Sequence, residues 1–315
     1  MAGAYCNILK DSSFGEVVSI HSRSIDRANR FAREHNISCS TDKFENPLFD
    51  NVEAVLICNE PSRHIETALS IMEWEKHILI EKPLALNVLD AKRLVESVLD
   101  YGKMISVVSQ YRFDPILEIM KAEIKEMPRD APITACLSFY KNRDADYYRH
   151  GNGWRSRASV FLNQGIHWLD VMNWFFGEPV DIKAKSFITR SFLDCADLSA
   201  ALIVYSKNTS VVINGGTFSK IPNKEGFSIY HSEGVLDYET ILQSNKMRSF
   251  IKKLRNRMLV KFGVSYQRID PSEMMLRDFC DSIRGDRNSK TSLIDGYNAL
   301  VLAEELSAFP TETYL

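Results

Sequence analysis

The chain has 315 residues, with 39 basic against 41 acidic side chains and a net charge of −2, so no global field favours nucleic acid. Its 45% hydrophobic and 25% charged residues are those of a globular protein with length for two domains, and no apolar run reaches the roughly 20 residues of a membrane span. The start lacks a basic-then-apolar leader, and the scattered Cys6, Cys39, Cys58, Cys136, Cys195 and Cys280 have neither CxxC nor metal-ligand spacing, which predicts reduced thiols, no metal and a cytoplasmic setting.

Residues 1–10 read as a helix that breaks at Ser12-Ser13-Phe14-Gly15. A strand follows over 16–21, and Ser24 is placed to cap a helix over 25–35. Ala2 and Gly3 at the mouth of the first helix, before a strand that ends in polar residues, form the back half of a dinucleotide-binding βαβ unit. The front half, a strand and the first two glycines of G-x-G-x-x-G, is missing. The reading frame is therefore expected to begin upstream of Met1, the alternative being loss of ordinary cofactor binding. Alternation then becomes regular: strand 52–58, helix 62–75, strand 76–81, a helix from Asn87 to 101 with Asp90 in the capping-box position, and strand 104–108. This rhythm predicts a parallel sheet with right-handed crossovers. The continuous run Ile78-Leu79-Ile80 marks a strand buried on both faces, and it leads into Glu81-Lys82-Pro83. The carboxyl end of such a strand is where open α/β sheets take ligands, and lysine is rarely placed there for packing alone.

The pattern changes near residue 110. A helix over 115–126 and a strand over 133–140 lead to a polar loop, 141–153, rich in Asp, Arg, Tyr and His. A helix over 160–176 follows. Strands at 182–189, 200–205, 210–214, 226–230 and 235–238 have no helices between them, which implies an open, mostly antiparallel sheet covered by helices on one face. The basic run Lys246, Arg248, Lys252, Lys253, Arg255, Arg257 and Lys261 is interleaved with apolar residues and reads as an amphipathic helix with a solvated face. Sharper readings of it are contact with the diphosphate of a nucleotide sugar, with an anionic membrane surface or with a partner subunit. A last helix spans 295–308.

Six stretches then fall in a telling order: 52–64 ending in His64, the tripeptide Glu81-Lys82-Pro83, Tyr111-Arg112-Phe113-Asp114-Pro115, Trp154-Arg155, Asn163-Gln164-Gly165-Ile166-His167-Trp168-Leu169-Asp170, and 279–285. Together they resemble the Gfo/Idh/MocA family of nicotinamide-dependent oxidoreductases, named for glucose–fructose oxidoreductase and inositol dehydrogenase. The resemblance implies α/β followed by α+β. A Rossmann-type domain lacking its first strand would span 1–110. A substrate-binding and oligomerisation domain would span 111–315, its C-terminal helix packing back on the first domain. It implies hydride transfer between NAD(P) and a sugar, sugar-nucleotide or cyclitol hydroxyl carbon, with an NAD-assisted glycosidase or a redox-inactive sensor or partner protein as alternatives. It implies a homo-oligomer built through the second sheet, and no nucleic-acid partner.

Site residues follow position by position. Lys82 and His167 are expected to be catalytic, the lysine near substrate and nicotinamide, the histidine as acid/base because imidazole titrates near neutrality. Glu81 would fix the position and charge of Lys82. Asn163, Arg112, Trp154, Arg155 and Asp170 are expected at the substrate. Asn163 lies one helical turn before His167, where many relatives carry aspartate, so the histidine would work without a carboxylate on that side. Ala2, Gly3, Ser22, Arg23, Asn59, Pro61, His64, Glu81 and Lys82 are expected at the cofactor. Ser22-Arg23-Ser24 replaces the carboxylate that binds the ribose 2′-hydroxyl of NAD, and a guanidinium suits a 2′-phosphate, so NADP is favoured over NAD. Arg157-Ala158-Ser159 stands where relatives often carry glycines, which would narrow the pocket or reach the substrate.

Overall fold

The computed structural model describes residues 1–10, 12–45, 51–128, 130–150, 153–218, 222–239 and 270–314; the basic run at 246–261 lies outside the described residues. Two units emerge. One holds Met1–Ala85, Leu89–Val108 and a late stretch ending at Gly296. The other holds Leu86–Val88, the chain from Ser109, and the chain from Tyr297 on.

In the first unit, helix α1 (Ala2–Lys10) buries Tyr5. Strand β1 (Ser19–His21) pairs in parallel with β2 (Cys39–Thr41) across helix α2 (Ile25–His35). A second parallel sheet sets β4 (His77–Ile80) between β3 (Ala54–Ile57) and β5 (Ile105–Val107), with α3 (His64–Met72) and α4 (Val88–Ser97) as crossovers. Ile78, Leu79 and Ile80 are at most 1% exposed, as a continuous apolar run in a central parallel strand requires. Three local expectations change. The strand expected over 16–21 shrinks to three residues, and β2 was not anticipated. Ser24 stands at the N-cap of α2 without a side-chain capping bond, and that helix instead ends on Asn36 in the left-handed conformation, φ 56°.

A helix not anticipated from the sequence, α8 (Pro271–Arg284), joins this first unit. Its start has a physical cause: Asp270 accepts a hydrogen bond from the Ser272 amide, and Pro271 occupies the first turn. Arg284 donates to the Phe14 carbonyl at 2.6 Å, and the Arg277 guanidinium lies 4.4 Å from the Phe14 ring centroid. Ser106 of β5 donates to the Thr291 carbonyl at 2.8 Å. The last helix, α9 (Leu293–Ser307), begins in the first unit and continues in the second.

In the second unit, Asp114 caps α5 (Pro115–Glu126) by accepting from the Ile116 amide at 2.8 Å. The sheet is built from β6 (Ile133–Asn142), β7 (Asp181–Ile188), β8 (Leu198–Ser206), β9 (Thr209–Phe218), β10 (Lys224–His231), β11 (Gly234–Asp237) and β12 (Thr311–Thr313). Its order is β11-β10-β6-β9-β8-β7-β12, mostly antiparallel, with β6–β9 and β7–β12 parallel. Ile133, Ala135, Leu137 and Phe139 alternate inward along β6. They belong to a core shared with Leu117 and Met120 of α5 and with Leu169, Val171 and Met172 of α7 (Ile166–Phe176). The expected unbroken helix over 160–176 is interrupted, because Phe161–Gly165 forms a π turn ahead of α7. The Phe139 ring packs directly on Gly165 and Gly215, where a Cβ would come within 2.8 and 2.1 Å of it. A short helix, α6 (Ala145–Arg149), occupies part of the polar loop, capped by Asp144. On the other face runs the cross-strand row Lys183, Leu202, Val212, Cys136, Ser228, of which Leu202, Val212 and Cys136 are exposed.

Candidate active site

At the carboxyl end of β4 the buried Glu81 carboxylate receives two hydrogen bonds. The Tyr5 hydroxyl donates to Oε1 at 2.6 Å and the Lys82 amide to Oε2 at 3.0 Å. Burial and the adjacent Glu81 charge both push the Tyr5 phenol far above its usual range, so it stays a donor at every physiological pH. The same burial and carboxylate push the Cys58 thiol up to about 12. Lys82 follows this fixed carboxylate, half-buried, with a cis peptide to Pro83. His64 sits beneath the tripeptide, 0% exposed, with Nδ1 3.0 Å from the Pro83 carbonyl and Nε2 3.1 Å from that of Asn59. Burial lowers its pKa against the pull of those carbonyls, and a neutral ring donates through one nitrogen only. His64 thus ties the end of β3 to the end of β4 and offers no surface to a ligand, a correction to its expected place against the cofactor.

In the second unit, His167 is buried on the first turn of α7, stacked on Tyr111 with centroids 4.9 Å apart and planes at 22°. Tyr111 also meets Trp168 edge-on at 5.0 Å. Glu225 collects this group: it accepts from Tyr111 at 3.2 Å and from Trp168 Nε1 at 2.9 Å, and pairs with Lys141 at 2.9 Å. Asn163 lies in the π turn, so the regular one-turn spacing to His167 does not hold, and its neighbours differ. Its Oδ1 accepts from the Tyr147 hydroxyl at 2.8 Å and from Gln164 Nε2 at 2.9 Å. With the oxygen occupied twice, the side chain offers its amide hydrogens, which suits an acceptor oxygen on a polyol.

Arg112 and Asp170, expected at the substrate, are bound to each other instead. Nε donates to Oδ2 at 2.9 Å and Nη2 to Oδ1 at 2.6 Å, with both side chains about nine-tenths or more buried. Ser109 donates to the same carboxylate. Buried together, the two charges compensate each other, and the pair locks the segment entering α5 to α7. Trp154 and Arg155 sit in a short 3₁₀ turn, with the Arg155 guanidinium 5.4 Å from the indole centroid. Arg23 is exposed after β1, 3.4 Å from Glu60, and Ser22 bonds through its amide to the Thr41 carbonyl. Ala2 and Gly3 open α1, Gly3 facing the His35 ring. Asn59 donates to Thr67 at 2.8 Å, and Pro61 starts the turn before α3. Residue-by-residue reading missed Tyr5, Tyr111, Tyr147 and Glu225. Only the tyrosine-rich composition of 141–153 hinted at one of them. Among the described residues no three His, Cys, Asp or Glu side chains gather to hold a metal.

Two family models match the chain. Residues 1–109 match the model of the oxidoreductase family with NAD-binding Rossmann fold, and residues 131–237 match the GFO/IDH/MocA C-terminal domain. A scyllo-inositol 2-dehydrogenase (NADP(+)), IolU, of Bacillus subtilis is 26% identical over 185 residues, 57% of this chain but only 56% of that enzyme's length. A myo-inositol 2-dehydrogenase of Thermotoga maritima is 22% identical over 80% of this chain and 75% of its own. The structure of the WlbA dehydrogenase from Bordetella pertussis, in complex with NADH and UDP-GlcNAcA, shares the fold with a TM-score of 0.78, at 17% identity over 98% of this chain and 92% of that one.

Proposed function

Because the chain belongs to the GFO/IDH/MocA oxidoreductase family, we propose that it is an NAD(P)-dependent oxidoreductase acting at the hydroxyl-bearing carbon of a sugar, sugar nucleotide or cyclitol. The observation that carries this reading is Lys82, an ammonium next to a doubly bonded buried carboxylate at the carboxyl end of the central strand β4. A bound dinucleotide would be held by residues of the first unit. Ser22 and the exposed Arg23 would take the adenosine ribose and its 2′-phosphate, Ala2 and Gly3 at the start of α1 the diphosphate, and Asn59, Pro61 and Glu81-Lys82 the nicotinamide end. When bound, the nicotinamide supplies or accepts the hydride. Lys82 stabilises charge that develops on the reacting oxygen, and His167 gives or takes its proton, its ring held by Tyr111. Asn163 donates to a substrate oxygen. Arg112 and Asp170 support α7 rather than touch substrate.

The open face of the second sheet, with Leu202, Val212 and Cys136 exposed in one cross-strand row, is assigned to pairing with a second copy of the chain. No helix among the described residues is long and apolar enough to cross a membrane, and a cytoplasmic setting suits the six free thiols. The test is a panel of polyols with NADP and NAD, read by nicotinamide absorbance. Lys82→Met and His167→Gln are each expected to lower kcat by about a hundredfold or more with melting curves unchanged. Unaltered turnover in either variant refutes its assignment.

A further inference from the structure

The polar loop carries a charge arrangement that the proposed reaction leaves unused. The guanidinium carbons of Arg143 and Arg155 lie 4.6 and 4.7 Å from the centroid of one ring, that of Tyr147. Both have only neutral hydrogen-bond acceptors among the described residues. Arg143 donates to the Asn142 carbonyl at 2.9 Å and to Gln164 Oε1 at 3.1 Å, while its buried Nε has no acceptor. Arg155 donates to the carbonyls of Tyr147 at 3.4 Å and His150 at 3.2 Å. The neighbouring carboxylates are committed elsewhere. Asp144 caps α6, Asp146 pairs with Arg149 at 2.7 Å, and Asp197 accepts from Arg190 at 2.9 Å and Thr189 at 2.8 Å.

Two guanidiniums on one tyrosine repel each other. Ring stacking offsets part of this, and an oxyanion held by their planar forks offsets far more. The Tyr147 hydroxyl donates to Asn163 Oδ1 at 2.8 Å, and Gln164, which accepts from Arg143, donates to the same oxygen at 2.9 Å. We infer that Arg143 and Arg155, steadied on Tyr147, form an oxyanion subsite beside Asn163, so that the substrate is a polyol bearing a carboxylate or phosphate rather than a neutral one. This rests on the proposed reading of Asn163 as a substrate residue.

The experiment is calorimetric titration of the full chain with D-glucuronate, D-glucose 6-phosphate, D-glucose and myo-inositol, with and without NADP, beside turnover of the same compounds. An anionic sugar is expected to bind at least about tenfold tighter than D-glucose, the size of one charge-assisted hydrogen bond. The two anionic arms separate a carboxylate from a phosphate. Arg143→Gln and Arg155→Gln each remove about tenfold from the anion alone. Arg143→Lys and Arg155→Lys, which keep the charge and guard against misfolding, retain part of it. Equal binding of neutral and anionic sugars, no anion-selective binding at all, or equal weakening of both classes in the glutamine variants overturns the inference. Selective anion binding without hydride transfer leaves the subsite standing and removes the reaction. Turnover of neutral polyols that ignores both arginines removes the subsite and leaves the reaction.

Discussion

Replacing Asp170 by asparagine removes the carboxylate charge that faces the buried Arg112 guanidinium. The side chains are 5% and 6% exposed and joined by two bonds of 2.9 and 2.6 Å, so water does not replace the lost carboxylate. Breaking such a pair from one side costs about 3–5 kcal/mol. For a chain of this size about 1 kcal/mol moves the melting temperature by roughly 2–4 °C, so Asp170→Asn should melt roughly 6–20 °C lower. Arg112→Met with Asp170→Leu removes both charges together, and because neither is then stranded its cost should fall well below the sum of the single losses. Urea denaturation followed by circular dichroism measures the wild type, Arg112→Met, Asp170→Leu and the double variant, which are the four corners of the cycle, beside Asp170→Asn. A loss below about 1 kcal/mol in Asp170→Asn, or additive losses in the double variant, would refute the buried pair as the lock between the entry to α5 and α7.

Burial depresses the His64 pKa, so the unfolded chain takes up that proton first. The contribution of His64 is therefore full above the ordinary histidine pKa of about 6.5 and declines as pH falls from there towards the folded value, by up to about 1.4 kcal/mol per pH unit. His64→Gln should flatten this part of the stability–pH curve, while His21 and His77, also lowered by burial, keep theirs; an unchanged slope would show that His64 carries its proton in the folded state. Leu202, 41% exposed on the outer sheet face, should break the proposed pairing of two copies when changed to arginine, with sedimentation velocity shifting to the mass of one chain. A wild-type protein that already sediments as one chain would rule this interface out.

Much of the scaffold was legible because its causes are local. The run Ile78-Leu79-Ile80 had no polar face, so it had to be covered on both sides. The helix expected from 115 begins there, with Asp114 as its cap. The strand expected over 133–140 stands as β6, with Ile133, Ala135, Leu137 and Phe139 buried at alternate positions. The same kind of signal, Asp270-Pro271 with Glu273, stood before α8 and went unused. The π turn at Phe161–Gly165 left no such mark, and its Gly165 lies against Phe139 of β6, distant in the chain. β2, three residues long, is too short for any periodicity.

For the site, the sequence alone determined the chemistry available: an ammonium after a buried strand, an imidazole on a helix, an amide where a carboxylate is common. Only the tertiary structure decided the pairings. Tyr5 and Glu81 stand 76 residues apart, and Arg112 and Asp170 stand 58 apart. Nothing in either neighbourhood shows that Arg112 is consumed by a carboxylate while Arg143 and Arg155 are not. Caps, turns and amphipathic faces depend on residues a few positions away, whereas the partner of a charge depends on which segments burial brings together, and that is a property of the whole fold.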